Sequence, residues 1–519
     1  MGSMLFSRLA QASAEVGSTR SRLAKRRALA TVIAEAATGD PAEFGLVVTY
    51  LSGSLRQRRT GVGSATLGDL PDPATDQTLT VAEVDRAFAE AAAVSGAGSV
   101  AARAAIVSDL FGRATEAEHH LLRGLVFEEI RQGALESLVQ DGLAEALGLP
   151  LPTVQRAAML LGSTADTAVL ARSGGTEALQ AVGLTVGRAI QPMLAAPAAD
   201  AAAAVGKSGL PVVVDAKLDG IRVQVHRAGQ RVRIFTRSLD EITDRLPEIV
   251  EAVLDLAVSE IILDGEVVGL DGAGRPLPFQ VISSRTASRT DVDAGRLRTP
   301  LSLFAFDLLH LDGRDLLDEP LHQRARTMEQ HLPAGLIVPR RRAETVEEVS
   351  EIFLDAVAQG FEGVVVKNLD AGYAAGRRDA GWIKVKPRHT FDLAVTAAEW
   401  GYGRRQGWLS NLHLAARDQT TGELVMLGKT FKGLTDVMLT WQTEQVLARE
   451  VRRDRSTVYI DPPLVAEIAC DGIQRSSRYP GGIALRFARV LRYREDKSPD
   501  EIDSLATVLA LNPQPPPVD

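Results

Sequence analysis

Apolar residues return every three or four positions through VAEVDRAFAEAAAV (81–94) and AEHHLLRGLVFEEIRQGALESLV (117–139), the spacing of amphipathic helices. Thr80 with Glu83 and Thr115 with Glu118 form capping-box patterns in front of them. A Pro-containing connection, LGDLPDPAT, lies between 67 and 75. Residues 1–185 are therefore expected to form an all-α domain. Near Gly187 the pattern changes to short β-branched runs ended by Gly turns: PVVVDAKLDG, IRVQVHR, RVRIFTRS, IILDGEVVGL, LSLFAFDLLHL, GFEGVVVKN and GWIKVKP. Helical stretches such as LPEIVEAVLDL and VEEVSEIFLDAV intervene, so 186–388 is expected to be an α+β domain. From 389 to 519 come DLAVTAAEWG, LSNLHLAARD, ELVMLGKTF, PLVAEIACDG and RFARVLRYRED, with one helical stretch, LTDVMLTWQTEQVLARE. Strands with a single helix over this length predict a small closed barrel, OB-like. The final LNPQPPPVD is expected to be disordered.

The length of 519 residues suits three or four domains, and 45% hydrophobic content excludes a disordered chain. Lys+Arg 58 against Asp+Glu 66 excludes a uniformly basic nucleic-acid coat but allows a local basic channel. Two such runs exist. Residues 376–388 carry Arg377, Arg378, Lys384, Lys386 and Arg388 against Asp379 alone. Arg475 to Lys497 holds seven basic residues against Glu495 and Asp496, and on one strand Arg486, Arg492 and Arg494 would share a face. One cysteine, Cys470, in an apolar run, excludes an internal disulfide and a multi-cysteine zinc site. The eight histidines show no metal-ligand spacing. No apolar run approaches the ~18 residues of a membrane span, so no membrane partner is expected.

Only nine basic residues are lysines: 25, 207, 217, 367, 384, 386, 429, 432 and 497. A chain that uses arginine for generic charge keeps lysine where an amine must lose its proton or a compact charge is needed. Lys217, in DAKLDGIR, ends an apolar strand before a Gly turn. Its amine would need cationic neighbours or a metal to free its lone pair, and Arg222, Lys384 and Lys386 are candidates. Glu266 in ILDGEVVG and Glu362 in GFEGVVVKN are carboxylates at strand ends, suited to Mg²⁺ in the presence of phosphate. Phe306 in LFAFDLL could stack on a base. Alone, each of these is an ordinary turn or core residue.

In order along the chain they resemble the motifs of ATP-dependent DNA ligases, within the covalent nucleotidyltransferase superfamily. KLDGIR is similar to the motif whose lysine becomes adenylated, here Lys217. IFTRS, with Arg237, LDGE, with Glu266, and FAFDLLHLDG, with Phe306 as the adenine-stacking aromatic, resemble the next three. FEGVVVKN, GRRDAGWIKVKP and RFARVLRYREDK resemble the last three, and EEIRQGA resembles an E-x-R-x-G signature of the DNA-binding domain. PFQVISSR and GRAIQPMLA match connecting segments. The resemblance implies a bacterial three-domain enzyme: a helical DNA-binding domain, a nucleotidyltransferase domain and a C-terminal OB-fold β-barrel. It implies ATP as substrate, with Mg²⁺, or Mn²⁺ in its place, held by Glu266 and Glu362. Asp215, Arg222, Arg237, Glu266, Phe306, Glu362, Lys367, Arg378, Lys384 and Lys386 would hold the nucleotide. Arg494, Asp496 and Lys497 would orient pyrophosphate when the C-terminal domain closes, with 387–389 as hinge. Arg131 and Gly133 would contact DNA. Many relatives carry Glu at the position of Asp215, where it meets the adenine amine; Asp is one methylene shorter.

The expected partner is nicked duplex DNA, bound by a monomer through salt-sensitive phosphate contacts. No sliding-clamp peptide is evident. An Arg- and Ala-rich composition suggests a high-GC bacterium, and the resemblance implies a cytoplasmic, nucleoid-associated protein. The alternatives are an RNA ligase or capping-type nucleotidyltransferase, against which the long helical region speaks, and a non-catalytic nick-binding scaffold, against which Lys217, Glu266, Glu362 and Lys384 speak. The absence of a P-loop and of a kinase Gly-rich loop disfavours an ordinary NTPase or kinase.

Overall fold

The computed structural model describes residues 3–57, 60–130, 135–288, 290–374 and 378–511. The expected DNA contacts Arg131 and Gly133 lie outside these residues, as does the tail from 512. Among the described residues, nine helices run between Phe6 and Gln180. The Thr80–Glu83 capping box forms as the sequence predicts. At the second site, the Thr115 amide and hydroxyl both donate to Glu118. Phe6, Leu29, Phe44, Phe88, Phe111 and Leu122 meet in one apolar core. His119 is buried there, its Nε2 2.6 Å from the Phe111 carbonyl oxygen.

Strands β1 (Leu194–Pro197), β2 (Val212–Lys217), β3 (Ile221–Ala228), β4 (Arg231–Thr236), β5 (Glu260–Gly269), β6 (Leu301–Leu311), β7 (Arg314–Asp315), β8 (Arg340–Ala343), β9 (Gly363–Asn368) and β10 (Arg378–Val385) make two sheets. One has the order β1-β10-β9-β2-β8, the other β4-β3-β5-β6-β7. The two-residue period of a strand sorts the side chains. In the first sheet Val212, Val214, Val364, Val366, Ile383 and Val385 pack with Val205, Ile352 and Ala356 of the flanking helices. Asp215, Lys217, Lys367, Trp382 and Lys384 have the opposite parity and line a cavity. In the second sheet Val223, Val225, Leu263 and Val267 fill a core. Arg222, opposite Glu266 in the β3–β5 ladder, and Glu266 itself line the same cavity from this side.

The C-terminal strands are β11 (His389–Trp400), β12 (Leu409–Arg417), β13 (Leu424–Thr430), β14 (Glu450–Arg453), β15 (Thr457–Cys470), β16 (Gly472–Arg475), β17 (Ile483–Arg486) and β18 (Arg489–Tyr493), with a helix at Asp436–Ala448. The closed barrel expected from the sequence is not found. The ladder runs β13-β12-β11-β15-β14 with β18 added on β15, while β16 and β17 pair only with each other. Gly472, at φ +143°, turns the chain out of β15, and Phe487, at φ +53°, separates β17 from β18. The basic run is thus three short strands, and Arg486 does not share a strand face with Arg492 and Arg494. Cys470 is fully buried, and burial raises its thiol pKa.

The helical region packs against both sheets, meeting Trp382 of the first and Ile262 and Leu309 of the second. Met159 and Leu160 share an apolar cluster with Ile190, Met193, Tyr373 and Trp382. Arg156 holds Asp318 with two bonds of 2.8 and 2.7 Å.

Candidate active site

The cavity between the two sheets measures about 810 Å³. Lys217 ends β2 at its rim, with Nζ 2.5 Å from Glu362 Oε2. Glu362 comes from the turn before β9, placed there because its amide donates to the Lys217 carbonyl at 2.9 Å. Its other oxygen is taken by Lys386, which also reaches Asp471 of the C-terminal region at 3.4 Å. Two ammonium groups therefore share one carboxylate. Glu266 accepts from the Gly220 amide at 3.2 Å. A Cβ on Gly220 would lie 2.3 Å from the Val267 carbonyl oxygen, so only glycine allows this approach. Burial pushes the Glu266 carboxyl up to about 7, partly offset by Lys217 and Arg222.

At the other end Asp215 is 2% exposed. Its Oδ2 receives Lys367 Nζ at 2.7 Å and Arg340 Nη2 at 3.0 Å. Its Oδ1 is buried and has no hydrogen-bond partner among the described residues. Lys367 also donates to the Phe306 carbonyl at 2.9 Å and lies 4.1 Å from the centre of the Trp382 ring. Burial lowers the Lys367 pKa, against the pull of Asp215 and Asp307. Beneath, Arg324 and Asp307, both fully buried, join through bonds of 2.7 and 2.9 Å. A cavity with a lysine at one end and a buried acceptor beside two aromatic rings at the other suits a base joined to phosphates.

Residues 192–386 match the family described as ATP dependent DNA ligase domain, and 405–497 match the ATP dependent DNA ligase C terminal region. A protein of Beutenbergia cavernae named "Probable DNA ligase" is 54% identical over 517 residues, covering 98% of this chain and 99% of that one. One of the same name from a Nocardioides species is 55% identical over 513 residues, at 98% and 99% coverage. The chain belongs to the ATP-dependent DNA ligase family. A solved structure named Pmar-Lig_PreS3 shares the fold of this ligase, with a TM-score of 0.65 at 18% identity over 94% of this chain and 99% of that one.

The structure brings together most of the residues singled out in the ligase sequence. Asp215, Lys217, Arg222, Arg237, Glu266, Phe306, Lys367 and Lys384 all line the cavity. Arg237 also faces a neighbouring cavity of about 990 Å³, walled on its far side by Arg56 and Thr164 of the helical region. Lys367, expected on phosphate, is committed to Asp215 and the Phe306 carbonyl. Arg222 is held by Asp264 at 2.6 and 3.1 Å and by the Met193 carbonyl at 2.7 Å. Arg378 opens β10, and its side chain lies outside what is described. Arg494, Asp496 and Lys497 are away from the cavity in this arrangement: Arg494 bonds Asp392 at 2.9 Å and Asp496 at 2.7 Å, and Lys497 bonds Asp392 at 2.7 Å. The C-terminal region instead presents Arg486, 2.8 Å from Asp219 in the turn after Lys217.

Arg340, Trp382 and Asp219 join the site without a mark of their own in the sequence. The lysine scarcity that marked Lys217 gives no signal for an arginine, and Trp382 reads as core. Asp219 sat unremarked inside the KLDG run.

Proposed function

We propose that this ligase seals nicks with a 5′-phosphate and a 3′-hydroxyl in duplex DNA through a lysyl-AMP intermediate on Lys217. The observation that carries the proposal is the placement of the Lys217 amine at the rim of a cavity whose far end offers an unpartnered buried acceptor and the Phe306 ring. Lys217 Nζ attacks the α-phosphorus of ATP, and pyrophosphate leaves. The AMP passes to the 5′-phosphate of the nick; the 3′-hydroxyl then attacks that phosphorus and AMP leaves. Such transfers depend on positioning and charge neutralisation more than on covalent help.

Glu362 fixes Lys217 by its ion pair, and Lys386 and Lys384 bring positive charge to the same rim. Among the described residues no three His, Cys, Asp or Glu side chains converge on a point. Glu266 and Glu362 are oxygen ligands of the kind a hard cation takes, but both Glu362 oxygens are held here by Lys217 and Lys386, so a cation shared with triphosphate oxygens and water would have to displace one of them. Mg²⁺ or Mn²⁺ bound there would neutralise phosphate charge. Asp215, Phe306 and Lys367 serve the base end of the nucleotide.

In this scheme residues 1–185 grip the duplex, 186–388 carry the nucleotide chemistry, and 389–519 swing about 387–389. Arg494, Asp496 and Lys497 reach pyrophosphate in the closed form, and the Arg486–Asp219 arrangement is a second form. Arg131 and Gly133 contact DNA. The enzyme works as a monomer on the bacterial chromosome in the cytoplasm, and among the described residues no helix is long and apolar enough to cross a membrane.

The test is intact mass after ATP and Mg²⁺, followed by a chase with 5′-phosphorylated nicked duplex. One AMP gained and then discharged with sealing is the expected result. An adduct that nicked DNA leaves untouched would favour an RNA or cap substrate, and no adduct, from protein first treated with pyrophosphate, a scaffold.

A further inference from the structure

Strand β8 lies antiparallel to β2 with Arg340 directly opposite Asp215. The Arg340 side chain is 10% exposed. Its Nη2 donates to Asp215 Oδ2 and to the Phe306 carbonyl, each at 3.0 Å. Lys367 Nζ binds the same two acceptors at 2.7 and 2.9 Å. Two cations from two strands thus converge on one carboxylate oxygen of the first sheet and one carbonyl of the second. The Nε and Nη1 of Arg340 are buried without partners. A guanidinium buried with most of its donors unused is a poor device for stability alone. Its hydrogen bonds go to Asp215 and to the Phe306 carbonyl, the two residues proposed above for the base end of the nucleotide.

We infer that Arg340 is a positioning residue that sets the base selectivity of the adenylation step. The inference rests on the proposed ATP-dependent adenylation of Lys217. With Oδ2 pinned by two donors, the direction of Oδ1 is fixed, and that buried atom lacks a donor. A 6-amino purine brings an N–H to it; a 6-oxo purine brings a carbonyl, which a carboxylate repels. Lys367 alone would leave the short Asp215 side chain free to turn about a single contact. Arg340 removes that freedom and doubles the tie that Lys367 makes between Asp215 and the Phe306 carbonyl, so that edge and face recognition move as one unit. Lys367 stays in place when Arg340 is changed, so the carboxylate keeps a partner and the cavity its charge.

Single-turnover adenylation of the full chain, run against ATP and GTP concentration, tests this with Arg340→Gln and Arg340→Lys. The glutamine variant should raise half-saturating ATP about tenfold, hold the maximal rate within about threefold, and lower the ATP:GTP preference about tenfold. The lysine variant, able to meet both acceptors but without a planar fork, should lower the preference only about threefold. A merely structural role would reduce ATP and GTP rates together, and an unchanged ratio in the variants that fold overturns the inference. If the glutamine variant fails to fold, the lysine variant decides. Native protein that takes up neither nucleotide overturns the ligase proposal and this inference with it; adenylated native protein with variants of native preference overturns this inference alone.

Discussion

Lys217 Nζ and Glu362 Oε2 stand 2.5 Å apart, and Lys386 occupies the other oxygen of the same carboxylate. The amine proposed as the nucleophile is therefore anchored before any nucleotide arrives, by a group that a second lysine also holds. Anchoring limits the rotamers of a long side chain, an entropic cost that is met on folding instead of at reaction.

Lys217→Ala should form no AMP adduct by intact mass yet hold nicked duplex within about threefold of native affinity, since phosphate contacts elsewhere set that affinity. Glu362→Gln should slow adduct formation by roughly a hundredfold, the usual scale for loss of one preorganised electrostatic group. Native-speed adenylation in the glutamine variant would make the ion pair incidental.

The Glu266 carboxyl, pushed up from 4.5 to about 7 by burial, gives a pH signature. Between those values the folded chain holds a proton that the unfolded chain has released. Stability from this group is full below about 4.5 and is lost as pH rises through about 7. In the proposed role of Glu266 adenylation uses the carboxylate and should climb over the same upper range. Glu266→Gln should lower the rate and flatten both slopes, read from adduct formation and from thermal midpoints across the range. A Gln variant with the native profile would mean another group titrates.

Arg494 and Lys497 both end on Asp392, away from the cavity. If they meet pyrophosphate only after the C-terminal region closes, Arg494→Ala and Lys497→Ala should cut adenylation by ATP far more than sealing of a pre-adenylated nick. Equal losses in the two assays would contradict that division.

Arg324 and Asp307 form a two-bond ion pair with both side chains fully buried. Arg324→Met leaves the Asp307 charge buried without its partner and should cost about 3–5 kcal/mol in urea unfolding. A change below about 1 kcal/mol would show that Lys367 or a rearranged neighbour takes over the aspartate.

The order of motifs made the family and the identity of Lys217, Glu266, Phe306 and Glu362 legible, because these residues fall at strand ends and turns that local pattern marks well. In the folded strands the two-residue period puts Asp215 with Lys217, and Lys384 with Trp382, on the cavity face. What parity cannot give is the partner across the gap. Lys367 read as one more phosphate lysine, and only the meeting of β9 with β2 and β6 showed it committed to Asp215 and the Phe306 carbonyl. Arg340 carried no mark in a chain that uses arginine everywhere. The C-terminal region read as a closed barrel from its strand count, but closure is a matter of ladder pairing, and the turn at Gly472 and the break at Phe487 direct the chain otherwise.

The sequence by itself determined most of the elements, the family and the candidate nucleophile, because these depend on short-range periodicity and on side-chain chemistry. Tertiary structure alone decided which carboxylate anchors Lys217, which cations fix Asp215, and that Arg486 rather than Arg494 meets the active-site turn. Those are contacts between strands far apart in the chain, and burial and geometry, not spacing along it, select them.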